Sequence, residues 1–345
     1  MKFLLKVSII ILNGGGYQAI IGLDTNKPKA LIDTDGLGRT FFFRLSLSLA
    51  RSLKKAEIPF IFWPKYSCFG HIYGTIPNLK FVPGASYVDG RFQLTSRLIS
   101  ESIRTFPNEF NDKELDIWIQ LTDGPLGALD LAEAINLPYV FAYASSYSLK
   151  DRLIAMIDFN TYYDESVYPF KDRLPSKCKE AAKEPWQYNK VFWRGSLQMS
   201  FSRRCLFELG KKYPEYLHIE DGTRGQFVPM FEQARYKYLI DTRGTSWSGR
   251  LQTLLQLGRV VFIADRPFRE WYFDRLIPMK HYVPIKEDMS DLIEKYLFME
   301  RNPELYDRIV HNMEEFVEEN LNPRRILFDT KELILKYGVV QNNLT

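Results

Sequence analysis

The chain has 345 residues, 46% hydrophobic and 26% charged, which is ordinary for a globular protein and enough for two domains of usual size. Its 46 basic and 42 acidic residues leave a net charge of +4, which does not indicate a nucleic-acid-binding protein. The three cysteines are widely spaced and form no CxxC pair, so a disulfide framework or structural zinc site is not expected and a reducing compartment is favoured.

The first half alternates short apolar runs with helical patterns. An apolar run at 7–12 predicts a buried strand that enters a glycine turn, where Gly15 is a candidate for lining a ligand cleft. A signal peptide is the less favoured interpretation because Lys6 interrupts the N-terminal apolar stretch 3–12 and no A-x-A-like cleavage site follows it. No run of about 18 apolar residues predicts a transmembrane helix. Further strands are predicted at 30–33, 58–63, 115–121 and 139–143, and helices at 41–53 and 128–135. This alternation indicates a mainly parallel sheet.

The second half repeats the alternation after a Pro-, Lys- and Glu-rich segment at 164–186, which predicts an interdomain linker. Strands are predicted at 190–193, 236–241 and 260–264, and helices from about 197 to 211 and at 249–257, the latter closed by Gly258. Two more helices follow, one capped by Ser290 and one started by Asn302 and Pro303, with a core stripe at Leu305, Ile309, Met313, Phe316 and Val317. The predicted domains are 1–165 and 166–325, with a final helical segment, 326–345, expected to pack back on the first domain.

The strongest chemical signal is the segment 236–262, with the pattern strand, loop, helix, strand. In open parallel sheets, ligands bind beyond the carboxyl ends of strands, and a helix N-terminus suits a phosphate. The loop supplies arginines, hydroxyls and a glycine that lets the backbone come close, namely Arg243, Gly244, Thr245, Ser246, Ser248 and Arg250. Such donors are typical of a diphosphate site, because arginine can bind two phosphate oxygens together, but an ordinary hydrophilic loop would also contain them.

Two other strand ends carry candidate groups. Arg194, Gly195 and Ser196 follow the predicted strand at 190–193 and could face the same ligand from a second side. Asp123 follows the strand at 115–121 and precedes a Gly-Pro turn. A carboxylate there could accept a proton from a sugar hydroxyl, although aspartate is also a common turn residue.

Weaker signals leave alternatives open. Asp33 and Asp35 form an Asp-x-Asp pattern that could hold a divalent metal, and turn chemistry explains the pattern equally well. Glu270 and Trp271 follow the strand at 260–264 and are candidates for lining the cleft, although an aromatic cluster is more often part of a core.

Four motifs of the second half occur in a distinctive order: FWRGS at 192–196, YKYLIDTRGTSWSGR at 236–250, LGRVVF at 257–262 and a block at 270–284 ending in HYVP. In order and spacing they resemble glycosyltransferase family 90, which includes protein O-glucosyltransferases, capsule-associated xylosyltransferases and bacterial lipopolysaccharide-modifying proteins. The resemblance implies an α/β fold of the GT-B type, with two Rossmann-like domains whose parallel sheets face a central cleft. It also implies an inverting reaction, a UDP-sugar donor and no required metal or other cofactor.

The resemblance also assigns roles to individual residues. Asp123, in IQLTDGP, matches the catalytic base of the family, and Arg250, with Arg243 and Gly244, matches its donor-phosphate motif. Arg194, Gly195 and Ser196 match the other donor-side motif.

The sequence therefore predicts an inverting glycosyltransferase that moves a sugar, with glucose or xylose preferred, from UDP-sugar to a glycan or glycolipid. A lipopolysaccharide core or another surface glycan is the favoured acceptor, because few cysteines and the ending Asn-Asn-Leu-Thr distinguish the chain from secretory-pathway members. We expect a cytoplasmic protein, with peripheral attachment to the inner face of a membrane as an option, and no nucleic-acid partner. The alternatives are an inactive nucleotide- or glycan-binding protein of the same fold and a metal-dependent transferase that uses Asp33 and Asp35.

Overall fold

A computed structural model describes residues 20–24, 27–34, 61–64, 67–81, 86–121, 123, 138–146, 148–149, 152–161 and 170–340. The chain divides into two compact units, one of Met1–Met156 with Thr330–Thr345 and one of Ile157–Asp329. The predicted domain limits at 165 and 325 stay predictions. Gly15, the strand predicted at 7–12 and the helices predicted at 41–53 and 128–135 lie outside the described residues. Among the described helices, none is both long and apolar enough to cross a membrane.

The described part of the chain contains both strands and α-helices. The strands are β1 (Ile20–Asp24), β2 (Lys27–Thr34), β3 (Ile61–Pro64), β4 (Ser67–Tyr73), β5 (Ile76–Phe81), β6 (Glu114–Gln120), β7 (Val140–Ala142), β8 (Leu153–Ala155), β9 (Tyr188–Gly195), β10 (Leu217–Asp221), β11 (Tyr236–Asp241), β12 (Val260–Ala264), β13 (Val283–Ile285) and β14 (Val339–Val340). The helices are α1 (Ser86–Thr105), α2 (Pro107–Phe110), α3 (Pro175–Lys183), α4 (Phe201–Lys212), α5 (Leu251–Leu254), α6 (Leu292–Glu300), α7 (Pro303–Asn320) and α8 (Pro323–Tyr337).

Two sheets lie in the described part of the first unit. In one, β2 pairs antiparallel with β1 and parallel with β3. In the other, of order β5-β4-β6-β7-β8, the strands β6, β7 and β8 are parallel, whereas β4 runs antiparallel to both of its neighbours. The predicted strands at 30–33, 58–63, 115–121 and 139–143 are confirmed as β2, β3, β6 and β7. The mainly parallel arrangement predicted for this half holds for β6 to β8 and for the β2–β3 pair. The other described pairs, β1–β2, β4–β5, β4–β6 and β14–β6, are antiparallel.

The second unit contains one five-stranded sheet that is parallel throughout, in the order β10-β9-β11-β12-β13. Alternate residues of its strands belong to different buried clusters. Phe192 and Leu239 pack with α5 and the end of α7, whereas Trp193 and Tyr238 pack with α4 and α6. Helices therefore cover both faces, and the α/β class predicted from the sequence is confirmed. The strand order reverses between β9 and β11, and in doubly wound sheets ligands bind at such a switch point.

Local chemistry changes some predicted elements of this unit. The segment predicted as a linker contains α3, whose Cys178 is fully buried in the core. The helix predicted at 249–257 is shorter, because Gln256 and Leu257 donate to carbonyls only three residues back before Gly258 takes a φ of +60°. Ser290 does not cap α6, which begins after Asp291 without a side-chain cap. The start of α7 behind Asn302 and its buried stripe are confirmed, with Leu305 only partly buried.

Candidate functional site

Two glycines, Gly195 and Gly222, allow the backbone to come close at the ends of β9 and β10. Gly195 ends β9, and the amide of Gly222, just after β10, donates to the Gly195 carbonyl at 2.9 Å. A Cβ atom at Gly222 would lie 2.9 Å from the Gly195 Cα, and one at Gly195 would lie 2.9 Å from the Trp193 ring. The backbone can approach this closely only without side chains, so both glycines shape the strand ends.

The loop 242–249 after β11 is held in one compact conformation. The Gly244 amide donates to the Trp247 carbonyl at 2.8 Å, and a Cβ atom at Gly244 would lie 3.0 Å from that oxygen. Trp247 is buried and meets the edge of Phe159 at 6.3 Å between ring centroids. Ser246 is also buried, whereas Thr245 is exposed. The loop predicted to bind a diphosphate is therefore fixed by its own backbone hydrogen bond and by the packing of Trp247.

Asp241, at the carboxyl end of β11, is the buried centre of the site. Its Oδ1 accepts hydrogen bonds from Ser248 Oγ at 2.6 Å and from Arg250 Nε at 3.3 Å. Its Oδ2 accepts a hydrogen bond from Arg266 at 2.5 Å. The Asp241 and Arg266 side chains have no exposed area. A buried carboxylate is stable only when cations and hydrogen-bond donors compensate its charge. Through Ser248 and Arg266, Asp241 therefore links the loop 242–249 to the residues that follow β12.

Arg250 has a guanidinium nitrogen that the described part of the protein leaves unpaired. Its Nη1 donates to the Arg194 carbonyl at 2.7 Å, and its guanidinium lies 5.1 Å from the centre of the Trp193 ring. Its Nη2 is buried and has no hydrogen-bond partner among the described residues. Burial lowers the pKa of Arg250, and the charge of Asp241 opposes that shift. An unpaired buried donor on a cation is costly, and an anionic ligand would satisfy it.

Two further arginines add positive charge. Arg203, on α4, donates from Nε to the Arg243 carbonyl at 3.0 Å and from Nη1 to the Ser196 carbonyl at 3.1 Å. Burial, followed by the charge of Arg250, lowers the pKa of Arg203 to about 10. Arg243 donates from Nε to Glu287 at 3.0 Å and from Nη1 to the Thr245 carbonyl at 3.1 Å. Mutual repulsion among these cations favours an anion at the strand ends.

Arg194 has a different arrangement from the one predicted. Its guanidinium binds Glu220, the residue opposite it on β10, and donates to the carbonyls of Arg224 and Gln226 at 2.7 Å each. The Arg194 side chain therefore holds the loop after β10, and its backbone carbonyl orients Arg250. Gly195, Ser196 and the loop residues from Arg243 to Arg250 are brought together at the switch point, and their binding of a donor stays a prediction.

Glu270 and Trp271 are adjacent residues with different surroundings. Glu270 is buried and accepts a hydrogen bond from the Ser248 amide at 3.1 Å. Burial raises the pKa of Glu270 to about 7, and the charge of Arg266 opposes the shift. Trp271 is half-buried against the hydrophobic core, with the Arg275 guanidinium 5.1 Å from its ring centre. Glu270 therefore supports the loop 242–249 through its hydrogen bond with the Ser248 amide, whereas Trp271 has the contacts of a core residue.

Asp123 belongs to the first unit and follows β6 closely. Arg91, on α1, donates from Nη1 to Asp123 Oδ1 at 2.9 Å and to the Leu121 carbonyl at 3.0 Å. The Asp123 side chain is 43% exposed, so a substrate hydroxyl can reach it. Arg91 therefore fixes the orientation of the predicted base.

The predicted metal pattern is only partly described. Asp33 lies in β2, and Asp35 lies outside the described residues. Within the described part of the chain, no three His, Cys, Asp or Glu side chains are grouped to hold a metal.

Sequence reasoning missed four residues of these sites: Arg91, Arg203, Asp241 and Arg266. Asp241 and Arg266 carried a usable signal, since one ends a buried strand and the other is the second residue after a buried strand. Arg203 is the third residue of α4. Arg91 gave no signal, because it lies in the interior of a long helix.

A comparison of the sequence with known proteins identifies a family. The model of Glycosyl transferase family 90 matches residues 84–343. Protein O-glucosyltransferase 1 of Rattus norvegicus is 28% identical over 177 residues, which cover 46% of this chain and 45% of that protein. Protein O-glucosyltransferase 3 of Homo sapiens is 25% identical over 345 residues, which cover 95% of this chain and 64% of that protein. The chain thus spans about half to two thirds of the length of these curated relatives.

Solved structures show a fainter likeness. Anabaena Alr3699/HepE in complex with UDP-glucose is 10% identical, with a TM-score of 0.41 over 89% of this chain and 99% of that one. The GtfA/B complex is 14% identical, with a TM-score of 0.39 over 61% of this chain and 47% of that one.

Proposed function

We propose that this chain, which belongs to glycosyltransferase family 90, transfers a sugar from a UDP-sugar to a hydroxyl group of a glycan. The observation that carries the proposal is Arg250, at the switch point of a parallel sheet: its side chain is only 11% exposed, and its buried Nη2 has no hydrogen-bond partner within the part of the chain that the structure describes. A diphosphate offers the charge and the paired oxygens that a guanidinium binds best.

The donor side of the proposal uses the loop after β11. Arg250 and Arg243 compensate the charge that develops on the departing UDP, together with backbone amides of the loop. Fixed charges in a buried site stabilise a leaving group without reorganising when the bond breaks, so no metal is required in this proposal. Glucose is the first candidate sugar, because the relatives named above are O-glucosyltransferases.

The acceptor side uses Asp123 as the general base. The acceptor oxygen forms a bond to the anomeric carbon, its proton passes to Asp123, and the bond from that carbon to UDP breaks with its electron pair leaving on the phosphate. Attack opposite to the leaving group inverts the configuration. Arg91 supports this role by orienting the carboxylate.

The acceptor class and the location are further parts of the proposal. We propose a glycan or glycolipid acceptor, with a lipopolysaccharide core as the first choice, and a cytoplasmic enzyme that can attach peripherally to a membrane. The free cysteines Cys178 and Cys205 are compatible with a reducing compartment. The excess of positive charge, +4 in total, is compatible with an anionic acceptor or membrane surface.

Hydrolysis of a panel of UDP-sugars in the presence of EDTA tests the proposal. We expect slow hydrolysis of one donor, and Asp123→Asn should lower that rate about a hundredfold or more while leaving UDP affinity nearly unchanged. Asp307→Asn, which changes an exposed carboxylate on α7, is the matched control. Loss of activity with EDTA would overturn the metal-free mechanism, and UDP binding without turnover, even with acceptor glycans added, would indicate an inactive binding protein.

A further inference from the structure

We propose that Arg266 is a positioning residue for the donor: by neutralising Asp241, it leaves the charge of Arg250 available to the diphosphate. The inference rests on the proposed function and deepens it, since it adds a residue that sets donor affinity without touching the donor.

The distances around Asp241 rank its partners. Arg266 makes the shortest contact at 2.5 Å, and Ser248 Oγ follows at 2.6 Å. Arg250 makes the longest, with Nε at 3.3 Å from the carboxylate. Arg266 and Ser248 therefore satisfy most of the carboxylate, and Arg250 is its most loosely held donor.

The burial of Arg266 excludes a direct role in binding. Its side chain has no exposed area, and its Nε donates to the Ala264 carbonyl at 3.3 Å. Its Nη1 lies 3.7 Å from Glu270, farther than a hydrogen bond reaches. Arg266 is thus committed first to Asp241, and any effect on a donor passes through that carboxylate.

Removal of Arg266 would change the partner of Asp241. A buried carboxylate without a counter-ion is strongly unfavourable, and Arg250 is the cation already in contact with it. Arg250 would then turn its guanidinium towards Asp241, where a two-pronged ion pair can form. The diphosphate would have to compete with Asp241 for the same cation, and donor affinity would fall.

A double-mutant cycle on the full chain tests whether Arg266 acts on UDP affinity through Asp241. The measurement is calorimetric titration of UDP. Arg266→Met should weaken UDP binding by roughly tenfold to a hundredfold, the scale of one hydrogen bond to a charged group. Asp241→Asn should bind UDP at least as tightly as the wild type. The double variant should return to within about threefold of the wild type, because Asn accepts from Ser248 yet cannot capture Arg250 as an ion. Arg269→Met, which removes a neighbouring, partly exposed arginine paired with Asp265, should leave the affinity unchanged.

The outcomes separate this inference from the proposed function. A wild type that does not bind UDP would overturn the proposed function. A wild type that binds UDP, together with an unaltered dissociation constant in Arg266→Met, would overturn the inference alone. A double variant that binds more weakly than either single variant would show that both residues serve only the fold. Thermal unfolding without UDP checks that each variant is folded. If Arg266→Met does not fold, a comparison of Arg266→Lys with Arg266→Gln replaces it. In that comparison, only the lysine variant should retain the affinity for UDP.

Discussion

Replacement of Arg250 should separate ligand binding from stability. In the empty protein, Arg250→Met removes the hydrogen bond to the Arg194 carbonyl and the long contact with Asp241. It also removes the buried Nη2 that has no partner among the described residues, a group whose desolvation costs about 1–3 kcal/mol. Asp241 keeps Arg266 and Ser248. These changes oppose each other, so the free energy of unfolding should change by less than about 2 kcal/mol.

The loss of UDP affinity should be much larger. One hydrogen bond from a guanidinium to a phosphate contributes about 1.5–3 kcal/mol, so the dissociation constant should rise on the order of a hundredfold. At a UDP concentration of about 100 times the wild-type constant, bound ligand stabilises the fold by about 2.7 kcal/mol. The same concentration should stabilise Arg250→Met by only about 0.4 kcal/mol.

Thermal unfolding with and without UDP measures both quantities in one assay. Arg308→Met, an exposed substitution on α7, is the control and should keep the full response to UDP. A large loss of stability in Arg250→Met with an unchanged response to UDP would refute the reasoning, because Arg250 would then be a structural residue.

Two further predictions concern the strand ends and pH. Gly222→Ala should destabilise the protein by about 1–3 kcal/mol, because the new Cβ would lie 2.9–3.1 Å from backbone atoms of Gly195. Gly90→Ala, inside α1 with open space around it, should instead stabilise the protein by about 0.5–1 kcal/mol. Urea unfolding of both variants measures the two changes. Glu270 has a pKa raised from 4.5 to about 7, so the folded state holds its proton more tightly and stability should fall as pH rises through that interval. Relative to Glu270→Gln, the wild type should lose up to about 3 kcal/mol between pH 5 and pH 8, and equal slopes would contradict the assignment.

Much of the parallel sheet was predictable from local sequence. The limits of β11 and β12 agree with the prediction, because β12 is a continuous apolar run and β11 is apolar except for Lys237 and the Asp241 that ends it. The length of α5 was not predictable, since leucines at helical spacing also suit the tighter turns that follow it. The location of the loop 242–249, which is predicted to bind the donor, followed from the strand that precedes it.

The internal contacts of the site were not predictable, because they join distant parts of the sequence. Arg266 and Asp241 are 25 residues apart and meet only because β11 and β12 are neighbours. Arg194 contacts Glu220 because the two are opposite each other in the β9–β10 register. Predicting which arginine stays available to a ligand therefore requires the strand order, which motifs and composition do not contain.

The two carbonyls bound by Arg203 have a consequence for the rate and affinity expected of the proposed donor binding. Because one guanidinium joins the backbone at Ser196 to the backbone at Arg243, the segments after β9 and β11 are ordered when the protein folds. The entropy of fixing these segments is then lost during folding, and an arriving nucleotide does not have to order them. We expect the loop to be preorganised, so that the association rate of UDP is set by diffusion and charge attraction rather than by loop closure.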